Sequence, residues 1–554
     1  MRSLIVVENT EVVVGQFARR TLFKGGTAAA AAALLTAAPA HASSGTVFRH
    51  GVASGDPLPG AVILWTRVTV AEDATPGSGL GDAATVRWEI ATDESFTRIA
   101  ASGTATATAD SDHTVKVDAT GLAAGTDYVY RFTALGETSP IGHTRTAPAE
   151  DTDVERLRLG VVSCSNWEAG WFASYRHLAA RGDLDAVVHL GDYLYEYGRG
   201  EYTGRGGAVR AHDPAHEIVS LADYRIRHGQ YKTDPDLLAL HAAVPFVCTW
   251  DDHESADNSW RDGSSHHDPA VSGPWQDRKA ASTQAYLEWM PVRADRADGG
   301  LRIYRRLRFG TLAELSMLDL RTYRDKEAGP GAGWRRADDP GRTITGRAQM
   351  EWLTAGLVSA PTRWKLIGNS VMVAPVVFPP LEPATTDAIT SLLGLPQGGL
   401  TVNGDQWDGY TADRATLYRA IADNEIGDVV FLTGDIHTSW AADLPLDAAN
   451  YPGGPTVGAE FVVPSITSSS VGDLLKVPPR TASVPAEEAI KTANHHLRYV
   501  ELDSHGYGVL EVTPEQAKMD WFYVFDVNDP ATGVRHAVSF AVPSGGRVEP
   551  RPVH

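Results

Sequence analysis

Four short apolar runs in this chain each end in residues of the kinds that bind metals. The first lies in VVHLGDYLYEYG, residues 187–198, where a run typical of a buried strand ends at Asp192 and Tyr195 follows three residues later. The other three runs end at Cys164, at Asp251-Asp252-His253 and at Asp435-Ile436-His437. Because α/β folds bind ligands at the carboxyl ends of buried strands, we predict that these four ends form one metal centre.

The N-terminal residues 1–42 are predicted to be a targeting segment and not folded structure. Arg19-Arg20 precedes an Ala-rich run over residues 25–40, and Ala40-His41-Ala42 is a small-residue cleavage site. The apolar stretch is too short to span a membrane. The pattern predicts a twin-arginine signal read by the twin-arginine export machinery, and a secreted, extracellular mature chain. A general secretion signal with an incidental Arg pair is the alternative.

Residues 46–148 carry short segments of alternating hydrophobicity, separated by clusters of Gly, Pro and Asp. This spacing is typical of a β-sandwich. The segment LAAGTDYVY, residues 122–130, resembles the tyrosine corner of fibronectin type III domains. We predict a small all-β sandwich of the fibronectin type III or Ig kind, with no catalytic cluster of its own.

Residues 155–545 change to strands that alternate with amphipathic helices, and antiparallel pieces join later in the chain. The predicted fold class is therefore α/β (α+β): a core of two packed mixed sheets flanked by helices, preceded by the small sandwich. We expect a monomer.

The charge balance limits the classes of partner. The chain has 49 Lys and Arg against 69 Asp and Glu, a net charge of −20. Nucleic-acid binding is not expected, because it requires a basic surface. An anionic substrate would be repelled unless bound cations reverse the local field.

The strand ends offer suitable ligand chemistry, although each residue also has a plain structural explanation. The Asp192 carboxylate could bridge two metals and the Tyr195 phenolate could bind a hard cation, but the two could also cap a turn and fill the core. The run Asp251-Asp252-His253-Glu254 concentrates carboxylates that repel unless cations balance them; a solvated loop is the alternative.

Arg321, in the motif LDLRTYR, ends another strand-like segment. Its guanidinium is suited to bidentate contact with phosphate. An ion pair with Asp319 or Asp325 explains the residue almost equally well.

The ordered motifs of this chain resemble those of the PhoD-type alkaline phosphatases, relatives of the purple acid phosphatases within the metallophosphoesterases. The resemblance covers nearly all of the chain after the targeting segment. The motifs are GVASGDP (51–57), SCSN (163–166), GDYLYEYG (191–198), WDDHE (250–254), LDLRTYR (318–324), GDIHTSW (434–440), PSITSS (464–469) and LDSHGYG (502–508).

The resemblance implies a ferric ion, Fe³⁺, with Ca²⁺ beside it. Cys164 and Tyr195 would bind iron with His437, and Asp192 would bridge the metals. Asp252 stands where the wider superfamily has a metal-binding Asn, and a carboxylate there favours Ca²⁺. Asn369 is the candidate for a remaining ligand that has no clear counterpart. The full implied set is Cys164, Asp192, Tyr195, Asp252, Asn369, Asp435 and His437.

The implied activity is hydrolysis of phosphate monoesters, with diesters as a second class, by attack of a metal-bound hydroxide or oxide. His253 would protonate the leaving oxygen and Arg321 would hold the phosphoryl group, so both would contact the substrate. A phosphodiesterase or phospholipase D acting on phospholipid head groups would use the same ligands. A non-enzymatic phosphate- or metal-binding protein is the distant alternative, against which an acid at His253 argues.

Overall fold

The computed structural model describes residues 46–297, 300–328, 337–376 and 404–553. The predicted targeting segment, residues 1–42, lies outside the described residues. Among the helices of the described ranges, none is long and apolar enough to cross a membrane.

The N-terminal part is all β, as predicted. Its strands are β1 (Val52–Leu58), β2 (Ala61–Arg67), β3 (Ala84–Ala91), β4 (Ile99–Ala107), β5 (Thr114–Thr120), β6 (Asp127–Ala134), β7 (Glu137–Thr138) and β8 (Gly142–Arg145). Strands β4-β3-β6-β7, with β8 beside β6, form a five-stranded antiparallel sheet. Its inner face packs on β1, β2 and β5 through a shared apolar core that includes Leu64, Ile90 and Tyr130.

The second layer of this sandwich is not a separate sheet, because β1, β2 and β5 belong to the ten-stranded sheet that continues into the following region. Strand β2 (AVILWTR) is buried along its whole length, which is typical of a strand covered on both faces. The expected small sandwich is therefore present, but one of its two layers is shared with the rest of the protein.

The remaining strands and helices alternate, as the sequence predicts. The strands are β9 (Leu157–Val162), β10 (Ala186–His189), β11 (Phe246–Cys248), β12 (Asp295–Ala297), β13 (Gly300–Arg302), β14 (Arg305–Phe309), β15 (Ala313–Met317), β16 (Trp364–Asn369), β17 (Val429–Thr433), β18 (Ser439–Pro445), β19 (Thr456–Val462), β20 (Leu497–Glu501), β21 (Gly506–Val512), β22 (Gln516–Val524), β23 (Val534–Pro543) and β24 (Glu549–Arg551). The helices are α1 (Ala173–Ala179), α2 (Leu221–Tyr231), α3 (Pro235–Ala243), α4 (Pro269–Ser272), α5 (Trp275–Trp289), α6 (Arg347–Ser359), α7 (Thr411–Asp423), α8 (Val471–Leu475) and α9 (Ser483–Ala493).

Two mixed sheets form the core, which confirms the predicted fold class. The first has ten strands in the order β24-β23-β22-β21-β9-β10-β11-β1-β2-β5, with β9, β10, β11 and β1 parallel. The second has seven, in the order β14-β15-β16-β17-β19-β18-β20, with β15, β16, β17 and β19 parallel. A small hairpin joins β12 to β13.

The two sheets pack against each other through an apolar layer. Val161, Val188 and Leu190 of the first sheet share one buried cluster with Leu366 and Leu432 of the second. Continuous apolar runs such as VVFLT in β17 are buried at every position, as expected for parallel strands between layers. This packing holds the parallel strands of both sheets rigid, and the loops after β9, β10, β11 and β17 carry the candidate ligands.

Candidate metal centre

The four ligand-bearing strand ends come together in one buried site. Three groups of donor atoms can be distinguished. Within each group the donor atoms all lie within 4.8 Å of one another, and Asp192 belongs to all three groups. The first group is Cys164, Asp192 and His437, with the Tyr195 hydroxyl beside it; the second is Asp192, Asp251, Asp252 and Asp435; and the third is Asp192, Asp252 and His253. The sequence prediction of a shared site is therefore met by the geometry.

Left-handed backbone conformations place several of these side chains. Cys164, Asp192, Asp435 and His437 have φ values of 60°, 53°, 63° and 53°. Each such non-glycine residue costs about 1–3 kcal/mol, and strain of this kind collects at functional sites. Gly191 allows the loops after β10 and β11 to approach, because a Cβ there would lie 2.5 Å from Asp251 Cβ.

The first donor group combines sulfur, imidazole, phenol and carboxylate. The Tyr195 hydroxyl lies 3.0 Å from Asp192 Oδ2 and 3.2 Å from His437 Nε2. His437 Nδ1 pairs with the Ser469 carbonyl at 2.9 Å, so Nε2 is the nitrogen that faces the group. Burial lowers the pKa of His437 to about 3, so the imidazole is neutral and its Nε2 lone pair is free for a metal. Cys164 is completely buried beside them.

The second donor group contains only carboxylate oxygens. Asp192, Asp251, Asp252 and Asp435 offer it one oxygen each. Burial, and then the neighbouring carboxylates, raise the pKa of Asp192 well above its usual range. Asp192 Oδ1 and Asp252 Oδ1 are buried and have no hydrogen-bond partner among the described residues. Such acceptors are costly unless something satisfies them, and cations would do so.

The residues present therefore fit two metals of different kinds. Thiolate and imidazole donors suit a transition metal, whereas an all-oxygen group suits a hard cation. Burial, followed by the Asp192 carboxylate, raises the pKa of the Cys164 thiol, so a cation would be needed to hold it as thiolate.

The Arg321 guanidinium contacts carboxylates of the second donor group directly. Its Nε and one terminal nitrogen bond both oxygens of Asp251, at 2.6 and 2.9 Å. Further bonds reach Asp405 Oδ1 at 3.0 Å and Asp435 Oδ1 at 3.2 Å. The ion pair with Asp319 or Asp325 that the sequence allowed is not what holds this guanidinium.

Glu254 organises the loops around the centre from behind. Its buried carboxylate accepts the backbone N–H groups of Asp192, Tyr193 and Asp251 at 3.0, 2.7 and 2.8 Å. These bonds fix the loop after β10 to the loop after β11, so the last residue of WDDHE positions ligands without being one.

Asn369, the remaining ligand implied by the resemblance, has protein partners at both ends of its amide. Its Oδ1 accepts a hydrogen bond from Trp407 Nε1 at 2.9 Å. Its Nδ2 donates to Thr433 Oγ1 at 3.0 Å and to the Val371 carbonyl. Both ends of the amide thus join β16 to its neighbours, and the ligand role of Asn369 stays a prediction.

The ligand set implied by the resemblance leaves out two residues that the structure places at the centre. Asp251 is among the strand-end residues named from the sequence, but nothing in Asp251-Asp252-His253-Glu254 marks it as a further donor, and the structure places it in the second donor group. Asp405 pairs with Arg321 from 84 positions away, and no local pattern marks it.

His253 lies at the edge of the centre and is 8% exposed. One of its ring nitrogens lies within 4.8 Å of carboxylate oxygens of Asp192 and Asp252. Burial lowers the pKa of its imidazolium, but the carboxylates of Glu196, Asp252 and Asp192 outweigh burial and raise that pKa well above its usual value. The ring is thus held protonated beside the donor groups.

Two packed mixed sheets with paired donor groups at their strand ends define a metal-dependent phosphoesterase. The chain belongs to the PhoD-like phosphatase family, which matches residues 159–521, and the N-terminal domain of that family matches residues 31–148. Alkaline phosphatase D of Bacillus subtilis (strain 168) is 37% identical over 500 residues, which cover 89% of this chain and 80% of that protein.

Solved structures agree with this membership. A structure of PhoD is 34% identical, superposes with a TM-score of 0.80 and is matched over 92% of each chain. The purple acid phosphatase PPD1 of yellow lupin is 11% identical, with a TM-score of 0.50, over 89% of this chain and 73% of that one. That second likeness shows a shared fold.

Proposed function

We propose that this chain is an exported hydrolase of phosphate monoesters, with diesters as a second substrate class. One observation carries the proposal: Asp192 belongs to every donor group, and its buried Oδ1 accepts no hydrogen bond from a described residue. A carboxylate so placed is suited to bridge two cations, as in two-metal phosphoesterases.

We assign Fe³⁺ to the mixed donor group and Ca²⁺ to the carboxylate group. The iron ligands would be Cys164, Tyr195, His437 and Asp192, and the calcium ligands Asp192, Asp251, Asp252 and Asp435. When bound, the two cations would supply Lewis-acid activation of the ester and of the attacking water. The bound cations would then attract an anionic substrate locally, although the net charge of the chain is −20.

The protein's own residues act on the leaving group and the phosphoryl group. His253 is held protonated and is placed to give a proton to the leaving oxygen. Arg321 holds Asp251 and Asp435 in position. Cations that take up these carboxylates would free N–H groups of Arg321 for a phosphoryl oxygen.

Elemental analysis and a visible absorption spectrum of the purified protein test the metal assignment. We expect stoichiometric iron, bound calcium, and colour from thiolate and phenolate ligation. Cys164→Ser should lose iron and colour together, because no other sulfur lies in the donor groups. Zinc or magnesium without colour would mean that Cys164 and Tyr195 are not ligands.

A substrate panel tests the reaction itself. We expect wild-type protein with its metals to release product from p-nitrophenyl phosphate and, more slowly, from bis-p-nitrophenyl phosphate. Dominant release of choline from phosphatidylcholine would favour the phospholipase D alternative. Equal, negligible turnover by wild type and His253→Ala would favour a non-enzymatic binding protein.

Export is proposed from the Arg19-Arg20 pattern and the cleavage site at Ala40-His41-Ala42. Intact mass of the extracellular protein should correspond to a chain that begins near Ser43. Replacing both arginines by Lys should keep the precursor inside the cell; normal export of that variant would contradict a twin-arginine signal.

A further inference from the structure

Glu196 is a buried carboxylate next to His253 that the metal centre does not use. It is completely buried, and its Oε2 lies 2.7 Å from His253 Nδ1. Its other oxygen, Oε1, accepts the backbone N–H of Asp257 at 2.6 Å. A fully buried acid is retained only with partners that satisfy it, and here the main partner is an imidazole at the edge of the site.

The surroundings of the imidazole leave one nitrogen for chemistry. Nδ1 is held by Glu196, so Nε2 is the nitrogen available to a substrate. The Tyr195 ring lies 4.2 Å from the imidazole ring, and the Tyr197 ring lies 5.4 Å from it, centre to centre. These two rings restrict rotation of the His253 side chain, and the hydrogen bond to Glu196 selects which way the ring faces.

We propose that Glu196 is a positioning residue for the phosphoester hydrolysis proposed above, on which this inference rests. Its carboxylate accepts the Nδ1–H of His253 and so fixes the ring in the orientation that presents Nε2 to the leaving oxygen, and Nε2 carries the proton to be donated when the ring is the imidazolium. A carboxylate that accepts from the far nitrogen of a catalytic histidine also stabilises the imidazolium.

The proton balance of the step is simple. The P–O bond to the leaving group breaks with its electron pair going to oxygen, and that oxygen takes the proton from His253 Nε2. Water supplies the oxygen that replaces it on phosphorus, and the proton released by water passes to solvent, from which Nε2 is protonated again. The sum is ester and water giving alcohol and phosphate.

A purely structural role for Glu196 makes a different prediction. Through Asp257 the carboxylate also tethers the loop after β11, and loss of that tether would disturb the whole site. Such a disturbance would slow every substrate by a similar factor. Loss of proton donation would instead slow only those substrates whose leaving group needs a proton.

The test compares two substrates in the metal-loaded protein. Ethyl phosphate has a strongly basic leaving oxygen, whereas 2,4-dinitrophenyl phosphate has a leaving group that departs without protonation. We expect Glu196→Gln to lower kcat for ethyl phosphate about 100-fold, the lower range for loss of a general acid. Its kcat for the dinitrophenyl ester should change less than about 3-fold, because that step does not draw on the acid.

Two further variants and a second readout complete the design. Glu196→Asp keeps the negative charge on a shorter side chain, so its kcat for ethyl phosphate should fall less than that of Glu196→Gln. If Glu196→Gln fails to fold, Glu196→Asp takes its place in the test. Glu168→Gln is the matched control, because Glu168 is also buried and its carboxylate accepts hydrogen bonds from the backbone N–H groups of Gly200 and His212, whereas that of Glu196 pairs with His253. Bound iron and calcium should be the same in all four proteins.

The outcomes separate the two proposals. If the wild type releases phosphate from neither ester, the phosphoesterase function fails. If the wild type hydrolyses both and Glu196→Gln slows both equally, or loses metal, only the positioning role is overturned.

Discussion

His437 and Asn369 follow or end neighbouring strands of the second sheet, β17 and β16, but their side chains have opposite surroundings. The His437 ring is fixed by one bond from Nδ1 to the Ser469 carbonyl, and its other nitrogen is directed at Cys164 and Asp192. The Asn369 amide is bonded at both ends, to Trp407 and Thr433. One ring nitrogen of His437 is thus oriented by a backbone carbonyl while the other faces the donor groups, as is usual for a metal-binding histidine, whereas the Asn369 amide is engaged by protein partners at both ends.

This contrast predicts the behaviour of Asn369→Ala. The free energy of unfolding should fall by about 1–3 kcal/mol, because Trp407 Nε1 would lose the buried acceptor that Asn369 Oδ1 provides. Bound metal per folded chain should not change. Denaturant titration and elemental analysis measure the two quantities.

His437→Ala serves as the comparison, since it should lose the metal proposed for the first donor group. If Asn369→Ala lost metal to the same degree, the amide would belong to the ligand set.

The residues of the centre could be predicted from the sequence where they follow the end of a predicted strand. Asp192, Cys164 and the Asp435–His437 pair directly follow apolar runs, and parallel strands bring such ends to one edge. Whether Asp251 joins Asp252 as a donor depends on how the loop turns, and Glu254 fixes that loop by accepting hydrogen bonds from three backbone N–H groups. These are tertiary contacts, which no local sequence pattern specifies.

At the scale of elements, the segment between α2 and α3 buries a lysine that has no carboxylate partner among the described residues. Lys232 is 1% exposed, and its Nζ lies 3.1 Å from His241 Nε2 and 4.5 Å from the centre of the Trp65 ring. Burial lowers the pKa of Lys232 from 10.5 to about 7. The lysine links α2 and α3 to β2 of the N-terminal part.

This lysine predicts a pH dependence of stability. Between pH 7 and 10.5 the unfolded chain binds the proton that the folded chain has released, so the contribution of Lys232 to stability rises with pH. Its full range is about 5 kcal/mol. Lys232→Met should therefore be more stable than wild type near pH 6, and its advantage should shrink steadily toward pH 10.

Chemical denaturation of both proteins across this range measures the difference. Most other titrating groups are common to the pair and cancel, and the neighbouring His189 and His228, whose pKa values are lowered to about 3 chiefly by burial, titrate below this range. A stability difference that stayed constant with pH would show that Lys232 keeps an ordinary pKa in the folded chain.

At the scale of the whole molecule, the N-terminal strands and the catalytic strands form one continuous sheet. Strand β1 runs parallel to β11, with Gly55 opposite Phe246. The buried Asp56 accepts hydrogen bonds from Arg293 and Arg305, and Trp65 Nε1 donates to the Glu288 carbonyl at 2.8 Å. The alternation in residues 46–148 predicts strands correctly, but it cannot say which sheet each strand joins, because the partner is about 190 positions away.

The shared sheet predicts that the phosphatase region does not fold alone. A chain that begins at residue 150 would expose the edge of β11 and leave Arg305 without Asp56, so it should be insoluble or lack a cooperative unfolding transition. A chain that begins at Ser43 is the control and should be soluble and active. Soluble yield and thermal unfolding followed by circular dichroism decide the matter, and a stable, active shorter chain would contradict the prediction.

The position of Arg321 has a consequence for how the protein acquires its metals. The single guanidinium among Asp251, Asp405 and Asp435 already offsets part of their charge. A cation that arrived here would compete with a positive group that is covalently attached to the chain. Metal uptake at this position would then be an exchange, and we expect its rate to depend on how readily the Arg321 side chain moves away.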